Sequence, residues 1–320
     1  MDSKTTQQVK QLEEKFKNSG QDLSSYLDGL LYDRYLTYWD YIHLDTLLSL
    51  QIPRTHFPDE EIFIAYHQIT ELYLKLIIHE LKQIIDDKVQ QADFFRKKVK
   101  RINRYYRILI ESFDVMILGM ERDQFLKFRM SLLPASGFQS AQFRMIEIYC
   151  TPLHHLTHKD VRDQFSEKSN LEEVYENLYW KRGATDLETG EKTLTLKQFE
   201  YRYTPRFIRT ANEVLNQTIY HKYMQLPKKE RENELLIKEL RRMDVTINVD
   251  WLLMHIGAAY RYLNNDKGKE ISATGGTNWK QFLPPTFQNI QFFPNLWSQE
   301  ELDNWGHEWV THTFNPEKKQ

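Results

Sequence analysis

The sequence predicts an all-α fold, a helical bundle with an aromatic-rich interior. Only 11 glycines and 10 prolines occur in 320 residues, so the chain is poor in the turn residues that sandwiches and barrels need. Phe, Trp and Tyr contribute 18, 7 and 18 residues, or 13% of the chain. Neither the glycine-rich dinucleotide fingerprint nor a P-loop occurs, which argues against a Rossmann or P-loop enzyme.

Charge and cysteine content narrow the class further. The formal net charge is −2, so no global field favours nucleic acid or an anionic membrane as a partner. The single cysteine, Cys150, excludes a disulfide scaffold and fits a reducing compartment. The N-terminus lacks the apolar core of a signal peptide, and no apolar run reaches the ~20 residues that span a bilayer. We therefore expect a soluble, cytoplasmic protein.

The most periodic segment predicts a helix over 60–87, preceded by a loop at 52–61 in which Asp59 is expected to cap the helix. Polar residues of this helix share one arc. The predicted solvent-facing stripe comprises Glu61, Gln68, Glu71, Lys75, His79 and Lys82. Apolar side chains, among them Ile69 and Leu76, cover most of the remaining circumference and are expected to be buried.

Helical spacing recurs along the rest of the chain. The predicted helical segments are 24–50, 92–131, 141–182 and 197–263, and the predicted loops are 134–140, 183–195 and 264–276. The basic start of the 92–131 segment could indicate nucleic acid, but nearby acidic residues balance it and favour a solvated helix face. The many tyrosines of 24–50 fit either an aromatic core helix or the wall of a pocket for a flat ligand.

Two histidines among apolar neighbours are candidate ligands. His67 lies at the edge of the apolar arc of its helix, one turn after Phe63. His255 shares a helical face with Trp251 and two alanines, which leaves a shallow groove for a flat macrocycle. A neutral imidazole in an apolar groove is one way in which proteins hold haem iron. Taken alone, a core histidine bonded to a carbonyl is the simpler interpretation.

Arg129 is a candidate anion-binding residue, because it lies in an apolar segment just before the small-residue loop PASGFQS. A guanidinium in an apolar setting needs an anionic partner. A small-molecule carboxylate would serve, and so would a protein carboxylate such as Asp123 or Glu147.

The cluster His154, His155 and His158 has the i, i+4 spacing of a metal site. Charged residues follow it immediately, and they favour an exposed face instead.

Four stretches resemble the tryptophan 2,3-dioxygenase family of helical haem enzymes, in that family's order. They are YWDYIHLDTLLSLQIP (38–53), DEEIFIAYHQITELYLKLIIHEL (59–81), the run 125–147 with PASGFQSAQFR, and a helix with His255 followed by ATGG (273–276) and FFPNLW (292–297). The similarity covers about residue 36 to residue 300, and PASGFQSAQFR and FIAYHQ are long enough to be specific.

The resemblance implies one haem b per subunit. His255 would be the axial ligand of the iron, with Trp251 beside it. Ser136 and Gly137 would line the distal face of the haem.

The resemblance also implies a substrate pocket. His67 would be the distal, catalytic histidine and would accept a hydrogen bond from the indole N–H. Phe63 would wall the indole pocket, and Phe125 would stand where the family usually has tyrosine. Arg129 would pair with the substrate carboxylate, and Thr274 would bind its ammonium or carboxylate end.

Tyr38, Tyr41 and Ile42 match a segment that a neighbouring subunit donates to the pocket in this family. The implied assembly is a homotetramer, a dimer of dimers. The implied organisation is a single haem-binding helical domain over 1–320, with an N-terminal helical arm at 1–35 and a helical insertion at roughly 155–235.

The activity implied by the resemblance is insertion of O₂ across the indole C2–C3 bond of L-tryptophan, which gives N-formyl-L-kynurenine in the first step of tryptophan catabolism by the kynurenine pathway. The stretch between His255 and Thr274 departs from the family pattern, and Thr277, Asn278 and Trp279 follow ATGG. The alternatives are a haem-dependent aromatic amino acid hydroxylase on the same scaffold and a non-catalytic haem or tryptophan sensor.

Overall fold

The computed structural model describes residues 2–33, 36–88, 91–132, 137–185, 190–263 and 279–307. Helices dominate these ranges, and no β-strand occurs in them. Two isolated antiparallel bridges, Thr157–Leu178 and Thr185–Lys192, are the extended pairings found there. The predicted all-α class is confirmed. None of the helices in these ranges is long and apolar enough to cross a membrane.

The chain divides into two compact units, Met1–Ile52 and Pro53–Gln320. The first unit contains α1 (Ser3–Asn18), α2 (Leu23–Leu31), α3 (Tyr38–Tyr41) and α4 (Leu44–Leu48). Two of these helices begin at acidic caps, since Asp2 and Asp22 accept hydrogen bonds from backbone N–H groups of the first turn.

The second unit carries the main core. Its helices are α5 (Asp59–Asp86), α6 (Ala92–Glu111), α7 (Asp114–Ile117), α8 (Arg122–Phe128), α9 (Ala141–Cys150), α10 (Leu171–Glu176), α11 (Tyr179–Arg182), α12 (Leu194–Glu213), α13 (Ile219–Gln225), α14 (Lys228–Arg231), α15 (Glu234–Val245), α16 (Trp251–Leu263), α17 (Trp279–Phe282), α18 (Pro285–Gln288) and α19 (Gln299–Asp303). Short 3₁₀ turns span Arg129–Leu132, Gly137–Gln139, Leu153–Leu156, Arg162–Gln164 and Pro294–Leu296, and a π-helical turn spans Thr246–Asp250.

The predicted helix over 60–87 forms as α5, with a difference at its first residue. Pro58 stands at the N-cap and Asp59 is the first helical residue, so the predicted cap at Asp59 is wrong. The Asp59 carboxylate instead accepts the backbone N–H of Glu121 at 2.6 Å, which ties the start of α5 to the chain before α8.

The predicted faces of α5 are partly wrong. Ile69 and Leu76 were expected to be buried, but they are 49% and 44% exposed. Glu71 was expected on the solvent-facing stripe, but it is half-buried and faces a cavity. The helix packs against α6 and α9, and the direction of those two neighbours decides which arc is covered. The sequence of one helix does not contain that information.

The longer predicted helical segments break into pieces. The segment 92–131 divides into α6, α7, α8 and a 3₁₀ turn, so Arg129 begins a tight turn instead of continuing an α-helix. The segment 141–182 holds only three α-helices, joined by 3₁₀ turns and the Thr157–Leu178 bridge. Pro152, the second residue after the end of α9, cannot donate the backbone hydrogen bond that a continuing helix requires.

The α15 and α16 helices form one continuous rod through the π-helical turn at Thr246–Asp250. Asp244, near the end of α15, is fully buried and anchors the FFPNLW motif. Its carboxylate accepts the backbone N–H groups of Phe292 at 2.5 Å and Phe293 at 3.1 Å, and the indole N–H of Trp297 at 3.0 Å. This anchor fixes the C-terminal segment beside the helix that carries His255.

Candidate functional site

A cavity of about 340 Å³ lies in the second unit, between α5, α9, α16 and the C-terminal segment. Its lining is mostly aromatic and aliphatic, with a few polar groups, as is typical of small-molecule sites. The lining residues used below are His67, Glu71, Ser140, Arg144, Tyr179, Trp251 and His255. The cavity therefore brings together both candidate histidines and Trp251. The two histidines are almost 190 positions apart in the chain.

His255 enters the cavity from α16. Its Nδ1 lies 2.8 Å from the backbone carbonyl oxygen of Trp251, one turn earlier. A carbonyl can only accept, so Nδ1 carries the proton and Nε2 keeps its lone pair. Burial lowers the pKa of His255 to about 4, so the imidazole is neutral at pH 7. Phe113 and Trp251 pack edge-on against the ring at 4.8 and 4.6 Å between centroids, which fixes its orientation.

His67 enters from α5 with the same local geometry. Its Nδ1 lies 2.7 Å from the backbone carbonyl oxygen of Phe63, so its Nε2 is also an unprotonated acceptor. The ring keeps accessible surface because it lines the cavity, yet desolvation by the surrounding protein still lowers the pKa of His67. Two neutral imidazoles thus line one cavity, each with its Nδ1 committed to the carbonyl four residues earlier.

Phe63 and Phe125 lie in an apolar cluster that adjoins the cavity. The Phe63 ring is 4.1 Å from the His67 ring and 6.1 Å from the Phe125 ring, between centroids. Phe125 also packs against Tyr262 at 4.5 Å. Ala259 contacts this cluster and lines the cavity as well, so the two regions share a wall.

Arg129 is buried, with 4% of its surface exposed, directly after Phe128 in the same cluster. Burial lowers the pKa of its guanidinium from the usual value. The described cavity lining does not include Arg129. Glu147, one of the alternative protein partners for Arg129, bonds to Arg144 and Tyr179.

The remaining predicted residues fall outside this geometry. Ser136 and Thr274 lie outside the described residues, and Gly137 begins the 3₁₀ turn Gly137–Gln139. Tyr38 and Tyr41 belong to the first unit and are 71% and 73% exposed; Ile42 caps the end of α3 there.

Polar residues outside the predicted site complete the cavity wall. The Glu71 carboxylate accepts the hydroxyl of Ser140 at 2.6 Å and the amide of Gln142 at 2.8 Å. Ser140 also caps α9, so this bond locks α5 to the start of α9. The signal for Glu71 was its position one turn after His67 on the same helix.

A buried ionic network includes two residues of the same wall, Arg144 and Tyr179. The Nη1 of Arg144 donates to the Glu147 carboxylate and to the Tyr179 hydroxyl, both at 2.9 Å, and that hydroxyl donates to Glu147 at 2.5 Å. The i, i+3 spacing of Arg144 and Glu147 within an apolar helix was the available signal. Tyr179 is 35 positions away from Arg144 and gave none.

The histidines of the 154–158 segment serve other purposes in this structure. His155 bonds to the Thr151 hydroxyl at 2.8 Å, and His158 contacts Arg182 and Asp160. Within the described part of the chain, no group of three or more His, Cys, Asp or Glu side chains is placed to hold a metal ion.

The fold and the cavity define a helical protein with an aromatic pocket that contains two neutral imidazoles. Comparison with known families is specific. The model of the tryptophan 2,3-dioxygenase family matches residues 30–249, and the chain therefore belongs to this family. The match includes α5, α9 and the first histidine of the cavity.

Individual relatives agree. A tryptophan 2,3-dioxygenase of Herpetosiphon aurantiacus is 30% identical over 281 residues, which is 82% of this chain and 96% of the relative. One from Ruegeria is 28% identical over 279 residues, covering 82% of this chain and 91% of the relative. One from Bacillus thuringiensis is 41% identical over 124 residues, covering 37% of this chain and 43% of the relative.

Proposed function

We propose that this chain is a haem-dependent dioxygenase that inserts both atoms of O₂ across the indole C2–C3 bond of L-tryptophan and releases N-formyl-L-kynurenine. One observation carries the proposal: His67 and His255 line a single apolar cavity, and each keeps an unprotonated Nε2. Membership of the tryptophan 2,3-dioxygenase family supports the choice of reaction.

The residues of the cavity fit haem b. A porphyrin needs an aromatic and aliphatic cleft, and its iron needs a neutral imidazole nitrogen. His255 meets the second requirement, because its Nδ1–H is held by the Trp251 carbonyl and this bond sets the ring orientation and the tautomer. Trp251, Phe143 and Leu252 contribute to the apolar wall beside it. When bound, the haem supplies the oxygen chemistry.

The chain's own residues bind and orient the substrate in this proposal. His67 accepts the indole N–H at Nε2, which requires a neutral ring, and its lowered pKa keeps it neutral at pH 7. Phe63 packs against His67 and walls the indole. We assign the substrate carboxylate to Arg129 and the distal haem face to Ser136 and Gly137.

Phe125 and Thr274 complete the proposed substrate pocket. Phe125 packs against Phe63 and Tyr262 and offers only an apolar ring at that position. Thr274 is proposed to bind the ammonium or carboxylate end of the substrate. Excluding water from such a pocket strengthens each charge-assisted contact.

We further propose a homotetramer in which Tyr38, Tyr41 and Ile42 of one subunit reach the pocket of a neighbour. Their exposure supports this assembly, since Tyr38 and Tyr41 leave about seven-tenths of their surface uncovered in the single chain. The single domain over 1–320, with its arm at 1–35 and its insertion at roughly 155–235, is part of the same proposal. So are the cytoplasmic location and a role in the kynurenine pathway.

A hydroxylase or a non-catalytic sensor on the same scaffold is not favoured by the relatives, which are named as dioxygenases. The visible spectrum of purified protein tests haem binding separately from the reaction. Wild-type protein should show a haem Soret band, and His255→Ala should lose it. Equal haem binding by both proteins would contradict the assignment of His255 as the residue that would hold the haem iron. Incubation with L-tryptophan and O₂ should then yield a product heavier by two oxygen atoms.

A further inference from the structure

Within the described residues, only one of the three nitrogen atoms of the Arg144 guanidinium donates hydrogen bonds to the protein. Both of its hydrogen bonds leave from Nη1, one to Glu147 and one to Tyr179. Its Nε is buried and has no hydrogen-bond partner in the part of the chain that the structure describes. The side chain is only 9% exposed, so bulk water has little access to it.

The unused edge of the Arg144 guanidinium, formed by Nε and Nη2, has the chemistry of a carboxylate-binding group. Nε–H and one Nη2–H of a guanidinium are parallel donors, and this edge binds a carboxylate through two hydrogen bonds. A buried donor without an acceptor is costly, so natural proteins rarely leave one in place. An acceptor that arrives with a ligand removes that cost, whereas Glu147 is already committed to Nη1 and Tyr179.

The position of Arg144 brings its side chain to the wall of the cavity. Arg144 lines the same cavity as His67 and His255. The rings of Phe143, Tyr179 and Trp180 pack around its guanidinium at 4.7, 5.6 and 5.6 Å from ring centroid to Cζ, and hold it in place. Fixing the side chain in advance reduces the entropy lost when a ligand binds.

The charges of the described cavity wall are consistent with an incoming anion. Glu71 is the acidic side chain of this wall, and its carboxylate already accepts the Ser140 hydroxyl and the Gln142 amide. His67 and His255 are neutral. Arg144 is therefore the side chain of this wall that carries both a positive charge and unused donors.

We propose that Arg144 binds a ligand carboxylate in the cavity through its Nε–Nη2 edge. This assignment rests on the proposed function, which brings two carboxylate sources to the cavity: the propionates of haem and the α-carboxylate of tryptophan. It adds a second cation to the site, distinct from Arg129.

Removing the carboxylate from each ligand in turn tests the assignment. Protein produced under haem limitation is titrated with haem and with haem dimethyl ester, and binding is followed by the Soret band. Haem-loaded protein is titrated with L-tryptophan and with tryptamine. Wild-type protein should prefer the carboxylate form of one ligand by about tenfold or more, the effect of one charge-assisted pair.

The variant Arg144→Lys keeps a positive charge beside Glu147 but lacks the two-donor edge. In the titration in which wild type prefers the carboxylate form of the ligand, this variant should lose most of that preference. Loss in the porphyrin arm identifies a propionate, and loss in the tryptophan arm identifies the substrate. Arg162→Lys is the matched control, since Arg162 is a half-buried arginine that bonds to the carbonyls of Thr157 and Asn289. Its preferences should equal those of wild type.

Two results would overturn the assignment. Wild-type protein that binds both ligands but prefers neither carboxylate form shows that Arg144 is only the counterion of Glu147. A preference that Arg144→Lys retains in full leads to the same conclusion. Both results leave the proposed haem site and reaction intact, and the first also contradicts the substrate carboxylate contact assigned to Arg129. Wild-type protein that binds no haem at all contradicts the proposed function itself, and the Arg144 assignment with it.

Discussion

Replacing Asp244 with alanine should destabilise the folded protein by about 3 kcal/mol. Four donors converge on this fully buried carboxylate. They are the backbone N–H groups of Phe292 and Phe293, the indole N–H of Trp297 and the side-chain amide of Asn248, at 2.5 to 3.1 Å. Alanine leaves all four without their acceptor.

The magnitude follows from these four bonds. Each buried donor that loses its acceptor costs about 1–3 kcal/mol. The low end applies here, because alanine creates space that a water molecule can enter, and because removing a buried charge recovers some of its desolvation cost. Four donors at about 1 kcal/mol each, less that recovery, give about 3 kcal/mol.

The assay is urea denaturation at pH 7, followed by far-ultraviolet circular dichroism. The matched control is Asp303→Ala, because Asp303 is exposed and accepts a single bond from Gln299. The control should change the free energy of unfolding by less than about 0.5 kcal/mol. If Asp244→Ala falls within 1 kcal/mol of the control, roughly a third of the predicted loss, the anchoring role of Asp244 is wrong.

Three further predictions concern the pH dependence of Asp244 and two other charged groups. Burial raises the pKa of Asp244 from 3.8 to about 6, so the folded state binds a proton more tightly than the unfolded chain. The free energy of unfolding of wild type, relative to that of Asp244→Asn, should therefore fall by about 2 kcal/mol in total as the pH rises from 4 to 6. A difference that does not change with pH in urea titrations would contradict this expectation. Glu80→Ala removes a buried carboxylate that contacts Lys98 at 3.0 Å and Arg101 at 3.1 Å. The substitution should lower the free energy of unfolding, measured by thermal unfolding, by about 3 kcal/mol. An unchanged midpoint would refute the stabilising role of Glu80. Arg129→Ala should weaken tryptophan binding much more than haem binding in spectral titrations, and unchanged tryptophan affinity would remove Arg129 from the substrate site.

Much of the fold could be predicted from sequence periodicity. The helix α5 appears within one residue of its predicted ends, because its long apolar arc and its acidic first turn are local signals. The exposure of Ile69 and Leu76 could not be predicted in the same way. Which side of a helix is covered depends on the packing of α6 and α9, and those contacts are distant in sequence.

The site could be predicted only in part. His67 and His255 could be predicted because each stands among apolar residues, and the structure brings them to one cavity. The role of Arg144 could not be predicted, because its spacing from Glu147 is that of an ordinary ion pair on a helix. Its unused edge and its place in the cavity wall depend on Tyr179 and on tertiary packing. The similarity to the tryptophan 2,3-dioxygenase family correctly identified the family.

The most direct test of the proposed reaction is the fate of isotopically labelled O₂. Haem-loaded protein is reduced without oxygen, mixed with L-tryptophan and labelled O₂, and the product is analysed by mass spectrometry. We expect N-formyl-L-kynurenine that carries both labelled atoms. A product with one labelled oxygen would indicate a hydroxylase, and unreacted tryptophan with a normal Soret band would indicate a sensor. Either result would contradict the dioxygenase assignment.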